Sequence, residues 1–224
     1  MAVTIDSTNS VGGSTQSTTL TIPLTITTGN YVLVEVTHAF GGVDHVSSVV
    51  WNTSESLGRL GGIRVTGSIS AGLSLWGLYN PTKKADNILI TFDGTLQAVG
   101  GAVALNNVNT TTQTGTYASD TNTGATASIV VNDSAVGDIV FGGITGTQTL
   151  TISQGTEQWN TIETFASSLW QQGISAPGAS GAVTLASTMT SDQWISQGIT
   201  IKAAPVVSST SRVRPVVYRP GLSR

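Results

Sequence analysis

Apolar and polar residues alternate with a period of two along most of this chain, a pattern that predicts β-strands. The run YVLVEVTH, for example, places Val32, Val34 and Val36 on one face of an extended segment. Turn signals such as Asp93-Gly94 separate the runs. No segment shows the apolar stripe of an amphipathic helix, so the sequence predicts an all-β fold, a β-sandwich of jelly-roll-like order. The predicted strands cover residues 18–26, 31–40, 46–51, 62–66, 73–79, 87–92, 98–105, 125–131, 138–144, 147–153, 162–170, 182–188 and 194–203.

Two parts of the sequence echo each other. The segment WNTSES at 51–56 matches WNTIET at 159–164, which lies 108 positions further on. Gly29-Asn30 and Gly137-Asp138 precede predicted strands at the same spacing. Several matches in the same order favour an internal duplication over chance.

The duplication predicts how the chain is organised. We expect a β-sandwich body of residues 1–203 with related halves at about 15–108 and 122–203, either paired into one sandwich or forming two small ones. The segment 106–124, which joins the halves, is poor in apolar residues and is predicted to be a long loop. Long loops often carry binding surfaces.

Composition narrows the classes of function. Charged residues make up only 9% of the 224 residues, far below the usual quarter. A surface with so little charge is typical of proteins that function in assemblies or outside cells. The chain has no cysteine, which excludes disulfides, thiolate metal sites and cysteine nucleophiles. The N-terminal sequence MAVTIDSTNS lacks the segments of a secretory signal, and no apolar run has transmembrane length, so we expect cytoplasmic synthesis and no membrane association.

Candidate catalytic and metal-binding residues are few. His38 and His45 are the only histidines, and Asp44 beside His45 suggests an acid/base or metal pair. Adjacent residues of an extended chain point apart, however, and a metal needs three or four converging ligands. The segment that starts at Asp120 resembles the start of a calcium loop, but Val131 stands where that loop needs an acid. We therefore expect no cofactor, no metal and no enzymatic activity.

Two alternatives to this expectation use other side chains. The tryptophans are predicted to fill the core and subunit contacts, but they could also form a stacking platform for sugar rings. A carbohydrate-binding module on a phage fibre, a tail or a cell surface would use that platform and the segment 106–124. A glycosidase-like sandwich would need two close carboxylates, for which Glu55 and Glu163 are the symmetric candidates. The five tryptophans are Trp51, Trp76, Trp159, Trp170 and Trp194.

The C-terminal segment 204–224 differs from the body in charge. All 12 acidic residues lie in residues 1–203 with five basic ones, a net charge of −7, whereas the segment has four arginines and no acid. Its prolines disfavour a helix or a central strand, and it is more apolar than a solvated linker. We expect an extended basic arm that docks on a protein, in preference to an arm that binds nucleic acid or one that stays solvated and disordered. The predicted partner-binding residues are Arg212, Val213, Arg214, Val216, Val217, Tyr218, Arg219, Leu222 and Arg224.

A Thr/Gly-rich β-sandwich without cysteine and with an extended basic arm resembles the capsid decoration, or cement, proteins of tailed bacteriophages. The resemblance rests on this architecture and on residues 211–224, without a diagnostic motif. It implies a virion structural protein on the outer capsid surface, whose arm binds the major capsid protein and staples neighbouring subunits. It also implies a homo-oligomer, with a trimer favoured, and avidity from many weak contacts.

Overall fold

The computed structural model describes residues 1–13, 15–40, 42–163 and 169–206. Within them the chain forms fifteen β-strands and no helix. The strands are β1 Thr4–Gly12, β2 Ser17–Thr25, β3 Tyr31–Ala39, β4 Val46–Trp51, β5 Glu55–Ser56, β6 Gly58–Val65, β7 Ala71–Tyr79, β8 Ala85–Leu96, β9 Ala98–Asn106, β10 Thr114–Ser134, β11 Ile139–Gly146, β12 Thr151–Gln154, β13 Thr156–Glu163, β14 Leu169–Pro177 and β15 Gly181–Ile201.

The strands form three antiparallel sheets. A five-stranded sheet has the order β1-β9-β3-β7-β6, and a four-stranded sheet has the order β2-β8-β4-β5. A six-stranded sheet has the order β10-β15-β11-β14-β13, with β12 also paired to β15. The all-β, sandwich-like class predicted from the sequence is confirmed, whereas the jelly-roll order is not.

The five-stranded sheet is a middle layer with both faces buried. On β3, Val32, Val34 and Val36 pack towards the four-stranded sheet, as their alternation predicts. Tyr31 and Leu33 pack on the opposite face towards the six-stranded sheet. Because a fully buried aliphatic side chain contributes about 1.5–3 kcal/mol, both faces of β3 stabilise the fold.

The long strands β10 and β15 bend together and add a further layer. Gly124 pairs with Asp192 and Thr126 pairs with Thr188, so the stretch between the two pairs is longer in β15 than in β10. Beyond this irregularity the paired strands β10 and β15, called here the ribbon, turn back over the outer face of the six-stranded sheet. The Ser196 hydroxyl of the sheet donates to the Ser128 carbonyl of the ribbon at 3.0 Å. The side chains packed between the ribbon and the sheet include Ile129, Val131, Val140, Ile144, Ile174 and Leu185.

Strand order also bears on the predicted duplication. The order β1-β9-β3-β7-β6 parallels the order β10-β15-β11-β14-β13, with β3 and β11 each central in its sheet. Asn30 and Asp138 both lie just before these central strands. Trp51 and Trp159, in contrast, are not equivalent, because Trp51 ends β4 of the four-stranded sheet and Trp159 lies in β13 of the six-stranded sheet. The assignment of halves to 15–108 and 122–203 stays a prediction.

The prediction of a loop at 106–124 is wrong over most of this segment, because β10 begins at Thr114. This part of β10 is at the edge of its sheet, and most of its residues are exposed or half-buried. An edge strand needs few apolar side chains, so its sequence is as polar as that of a loop. Only 107–113 connects β9 to β10.

Candidate functional site: the arm exit and its clefts

The predicted partner-binding residues, from Arg212 to Arg224, all lie outside the described residues. The described part of the arm is its first three residues, which end at Val206. Residues 204–206 follow the end of β15 at one end of the molecule. We call this end the arm exit, and it is the candidate site.

Backbone hydrogen bonds hold the chain at the arm exit. The Lys202 N–H donates to the Gln113 carbonyl at 2.9 Å, and the Ala204 N–H donates to the Asn107 carbonyl at 2.7 Å. The amino group of Met1 donates to the Ala204 carbonyl at 3.1 Å. The N-terminus and the start of the arm are therefore joined, and the arm leaves the body from a fixed position.

The Asp138 carboxylate supports this position from within the body. Its Oδ1 accepts from the Ala203 N–H at 2.8 Å and its Oδ2 accepts from the Ala135 N–H at 3.0 Å. Lys202 Nζ lies 3.4 Å from the same Oδ2, and the Asp138 side chain is buried. One carboxylate thus ties the turn before β11 to the residues after β15. Asp138, which follows Gly137 in one of the matches behind the predicted duplication, therefore has a structural role at the arm exit.

Three clefts surround the arm exit. The most apolar has a volume of about 450 Å³ and lies between the start of β1, the start of β11, the start of β13 and the end of β14. We call it the apolar cleft. A second depression of about 480 Å³ shares Ala2, Val136, Gly137 and Asp138 with it and is also lined by Val206. A third, of about 520 Å³, lies beside Met1 and Ala204.

The arm exit also exposes apolar side chains. Val136 is 84% exposed, Val206 is 77% exposed and Met1 is 66% exposed, and all three line the second depression. Exposed apolar groups that cluster beside a cleft are typical of a contact surface rather than of an ordinary solvated face.

A second feature, a buried polar cluster, lies between the five-stranded and six-stranded sheets. Glu35 of β3 is fully buried, and its Oε1 accepts from Gln197 Nε2 at 3.1 Å. Its Oε2 has no hydrogen-bond partner among the described residues. The Tyr117 hydroxyl donates to Gln197 Oε1 at 3.1 Å. The cluster lies within the body rather than in a cleft, and the alternation in β3 gave no sign that an acid would be buried there.

Burial decides the protonation of this cluster. It raises the pKa of Glu35 to about 8, although the hydrogen bond from Gln197 partly opposes the shift. Burial likewise raises the pKa of Tyr117 to about 12. The Glu35 carboxyl group is therefore mainly protonated at neutral pH and does not attract a cation.

Asp44 and His45, the adjacent residues that the sequence offers for acid/base or metal chemistry, have different polar partners. His45 Nδ1 lies 2.7 Å from Asp93 Oδ1, and His38 Nε2 lies 3.6 Å from Asp44 Oδ1. Asp44 also forms an ion pair with Arg59. Although burial acts in the opposite direction, the nearby His38 side chain, a hydrogen bond from the Val46 N–H and the charge of Arg59 hold the pKa of Asp44 below its usual value. The rings of His38 and His45 lie edge to face with centroids 5.3 Å apart, so the two contacts are neighbours, but Asp44 and His45 are not paired with each other.

No group of three or more histidine, aspartate or glutamate side chains in the described part of the chain is placed to hold a metal ion. Glu55 and Glu163 lie in the four-stranded and six-stranded sheets, which cover opposite faces of the middle layer. Glu55 accepts from the Thr82 backbone at 3.0 Å, and Glu163 is buried. The two carboxylates are therefore not paired across a cleft.

The tryptophans mainly fill the core. Trp51, Trp76, Trp159 and Trp194 are buried, and Trp170 is half-buried. Four of the five thus have no indole face free to stack on a sugar ring. The core interpretation is correct for these four.

Comparison with known proteins gives no relative: no family model, no curated protein and no solved structure matches this chain. Among the described residues, none forms a helix with the length and apolar character needed to cross a membrane.

Proposed function

We propose that this protein is a non-enzymatic virion structural protein of the capsid-decoration type. Its β-sandwich body binds the outside of a capsid, and its arm, residues 204–224, contacts the major capsid protein and staples neighbouring subunits. A homotrimer would supply several arms at once, so that weak contacts add by avidity. The protein would be made in the host cytoplasm and work on the particle surface.

The observation that carries this proposal is the separation of charge between the body and the arm. Residues 1–203 have a net charge of −7, and residues 204–224 have a net charge of +4. The arm leaves a body that holds its first residues by backbone hydrogen bonds, as at the Ala204 N–H. A fixed exit followed by a basic, proline-containing segment suits docking of an extended chain on a second protein.

The first test is a density gradient of the source lysate, with this chain located by mass spectrometry. The proposal expects comigration with large particles at a fixed ratio to a capsid subunit. Recovery only in soluble or cell-wall fractions would overturn it and would favour a carbohydrate-binding module.

The second test compares variants for binding to particles that lack this chain. The full-length variant R212S/R214S/R219S/R224S keeps the arm but removes its charge. At about 0.2–1 kcal/mol for each exposed ion pair, loss of four pairs removes about 0.8–4 kcal/mol and should weaken binding at least about fourfold. The matched control, R64S/K83S, removes two exposed cations of the body and should bind like the parent. Equal binding by the arm variant and the parent would refute the arm's role.

A further inference from the structure

We infer that, in the free protein, the apolar cleft at the arm exit binds the arm of the same chain, through residues 213–218. This inference concerns the isolated protein and holds whatever partner the arm has on a particle. Its basis is the position of the cleft, its lining, the length of the arm and the charges of the two parts.

The cleft has the size and lining of a site for apolar side chains. Its volume of about 450 Å³ falls within the range of about 300–1,000 Å³ that is usual for ligand pockets. Val3, Ile5, Val136 and Ile139 contribute to its walls, together with Ala176. Burying an apolar side chain here would stabilise by roughly 25 cal/mol for each Å² removed from water.

The arm starts beside the cleft. Val206, the last described residue, lines the depression that shares Ala2, Val136 and Gly137 with the cleft. Seven further residues lead to Val213, and an extended chain of that length spans up to about 25 Å. The tether is therefore long enough to bring 213–218 back to the cleft and short enough to keep its effective concentration high.

The arm has apolar side chains and a charge that suit the cleft and the body. The segment VRPVVY at 213–218 has three valines and one tyrosine, and its proline favours an extended backbone. The arm is positively charged and the body is negatively charged, so long-range attraction favours their contact over separation. The same-chain arm fits better than a second copy's arm because the tether gives the same-chain arm an advantage at low protein concentration.

Cysteine cross-linking tests the inference directly, because the parent chain has no cysteine. The variant T156C/V217C places one thiol on the exposed rim of the cleft and one in the arm. The control N122C/V217C places the first thiol on an exposed residue of β10, at the opposite end of the six-stranded sheet. Both full-length variants are oxidised mildly at low concentration and analysed by non-reducing gel and intact mass.

The inference expects at least about tenfold more disulfide-linked monomer from T156C/V217C than from the control, because docking raises the local thiol concentration. Equal yields from the two variants would overturn it, because an arm docked in the cleft must bring position 217 to position 156 far more often than to position 122. A disulfide-linked dimer as the main product would assign the cleft to a second copy's arm and would also overturn it.

A third variant separates docking by apolar side chains from mere tethering. T156C/V217C with Val213→Asp and Val216→Asp keeps the tether but puts carboxylates where apolar groups should be buried. The yield of linked monomer should fall clearly below that of T156C/V217C, to the level that the tether alone gives. An unchanged yield would refute apolar docking. Failure of the capsid proposal would not alter any of these results, because no particle is present.

Discussion

Replacing Glu35 by glutamine removes a carboxyl group that is fully buried between two sheets, and we expect the variant to be more stable than the parent at neutral pH. Glutamine has nearly the same shape and can still accept the hydrogen bond from Gln197 Nε2. The side-chain packing should therefore stay the same. The amide nitrogen replaces Oε2, which has no hydrogen-bond partner among the described residues, so the main change is the loss of a titratable group.

The sign and size of the effect follow from the pKa of Glu35, which burial raises from 4.5 to about 8. Between these two values the unfolded chain releases the proton and the folded chain keeps it, so the stability of the parent falls as the pH rises. Each pH unit above 4.5 lowers the free energy of unfolding of the parent by about 1.4 kcal/mol, so at pH 7 it is about 3 kcal/mol lower than in acid. E35Q does not show this loss. Its free energy of unfolding should therefore equal that of the parent below pH 4.5 and exceed it by about 3 kcal/mol at pH 7.

Urea unfolding followed by tryptophan fluorescence, at about pH 4, pH 5.5 and pH 7, measures this difference. Asp120→Asn is the matched control, because it removes an exposed carboxylate and should leave the pH dependence of the parent nearly unchanged. An E35Q variant with the same pH dependence as the parent would show that Glu35 does not titrate as argued. An E35Q variant less stable than the parent at pH 7 would refute the reasoning entirely.

Three further predictions concern the contact between the five-stranded and six-stranded sheets, each measured by urea unfolding. Gly143→Ala would place a methyl group 1.7 Å from Glu35 Oε1, so we expect a loss of at least about 1–3 kcal/mol, partly recovered in E35A/G143A. Thr37→Val breaks the 2.7 Å hydrogen bond between Thr37 Oγ1 and Thr145 Oγ1 and should cost about 1–3 kcal/mol, whereas T37V/T145V should be nearly neutral. Trp159→Ala should cost about 3–5 kcal/mol, and a smaller loss than that of Thr37→Val would contradict its place in the core.

The sequence predicted the individual strands better than the way in which the sheets stack on each other. Alternation correctly assigned Val32, Val34 and Val36 to one buried face. It could not show that the opposite face, with Glu35 and Thr37, is buried too, because a polar residue on the second face of a strand normally indicates solvent. That face is covered by a sheet from a distant part of the chain, and local pattern carries no information about such a contact.

The sequence also failed to predict strands at the edges of the sheets. The first strand, Thr4–Gly12, and the start of β10 at Thr114 were not predicted, because both are edge strands with many exposed residues. The candidate site was only partly predictable for a similar reason. The charge of the arm can be read from its sequence, but the apolar cleft joins residues near 3, 138 and 176, which only folding brings together.

The position of β15 has a mechanical consequence. Near its end, Ile201 pairs with Thr114 of β10 on one side and Ile139 of β11 on the other, and the arm continues from this doubly paired strand. Because ladder hydrogen bonds run across the strands, a pull on the arm along β15 loads many of them in shear at the same time instead of opening them one by one. The body should therefore resist tension applied through the arm along β15.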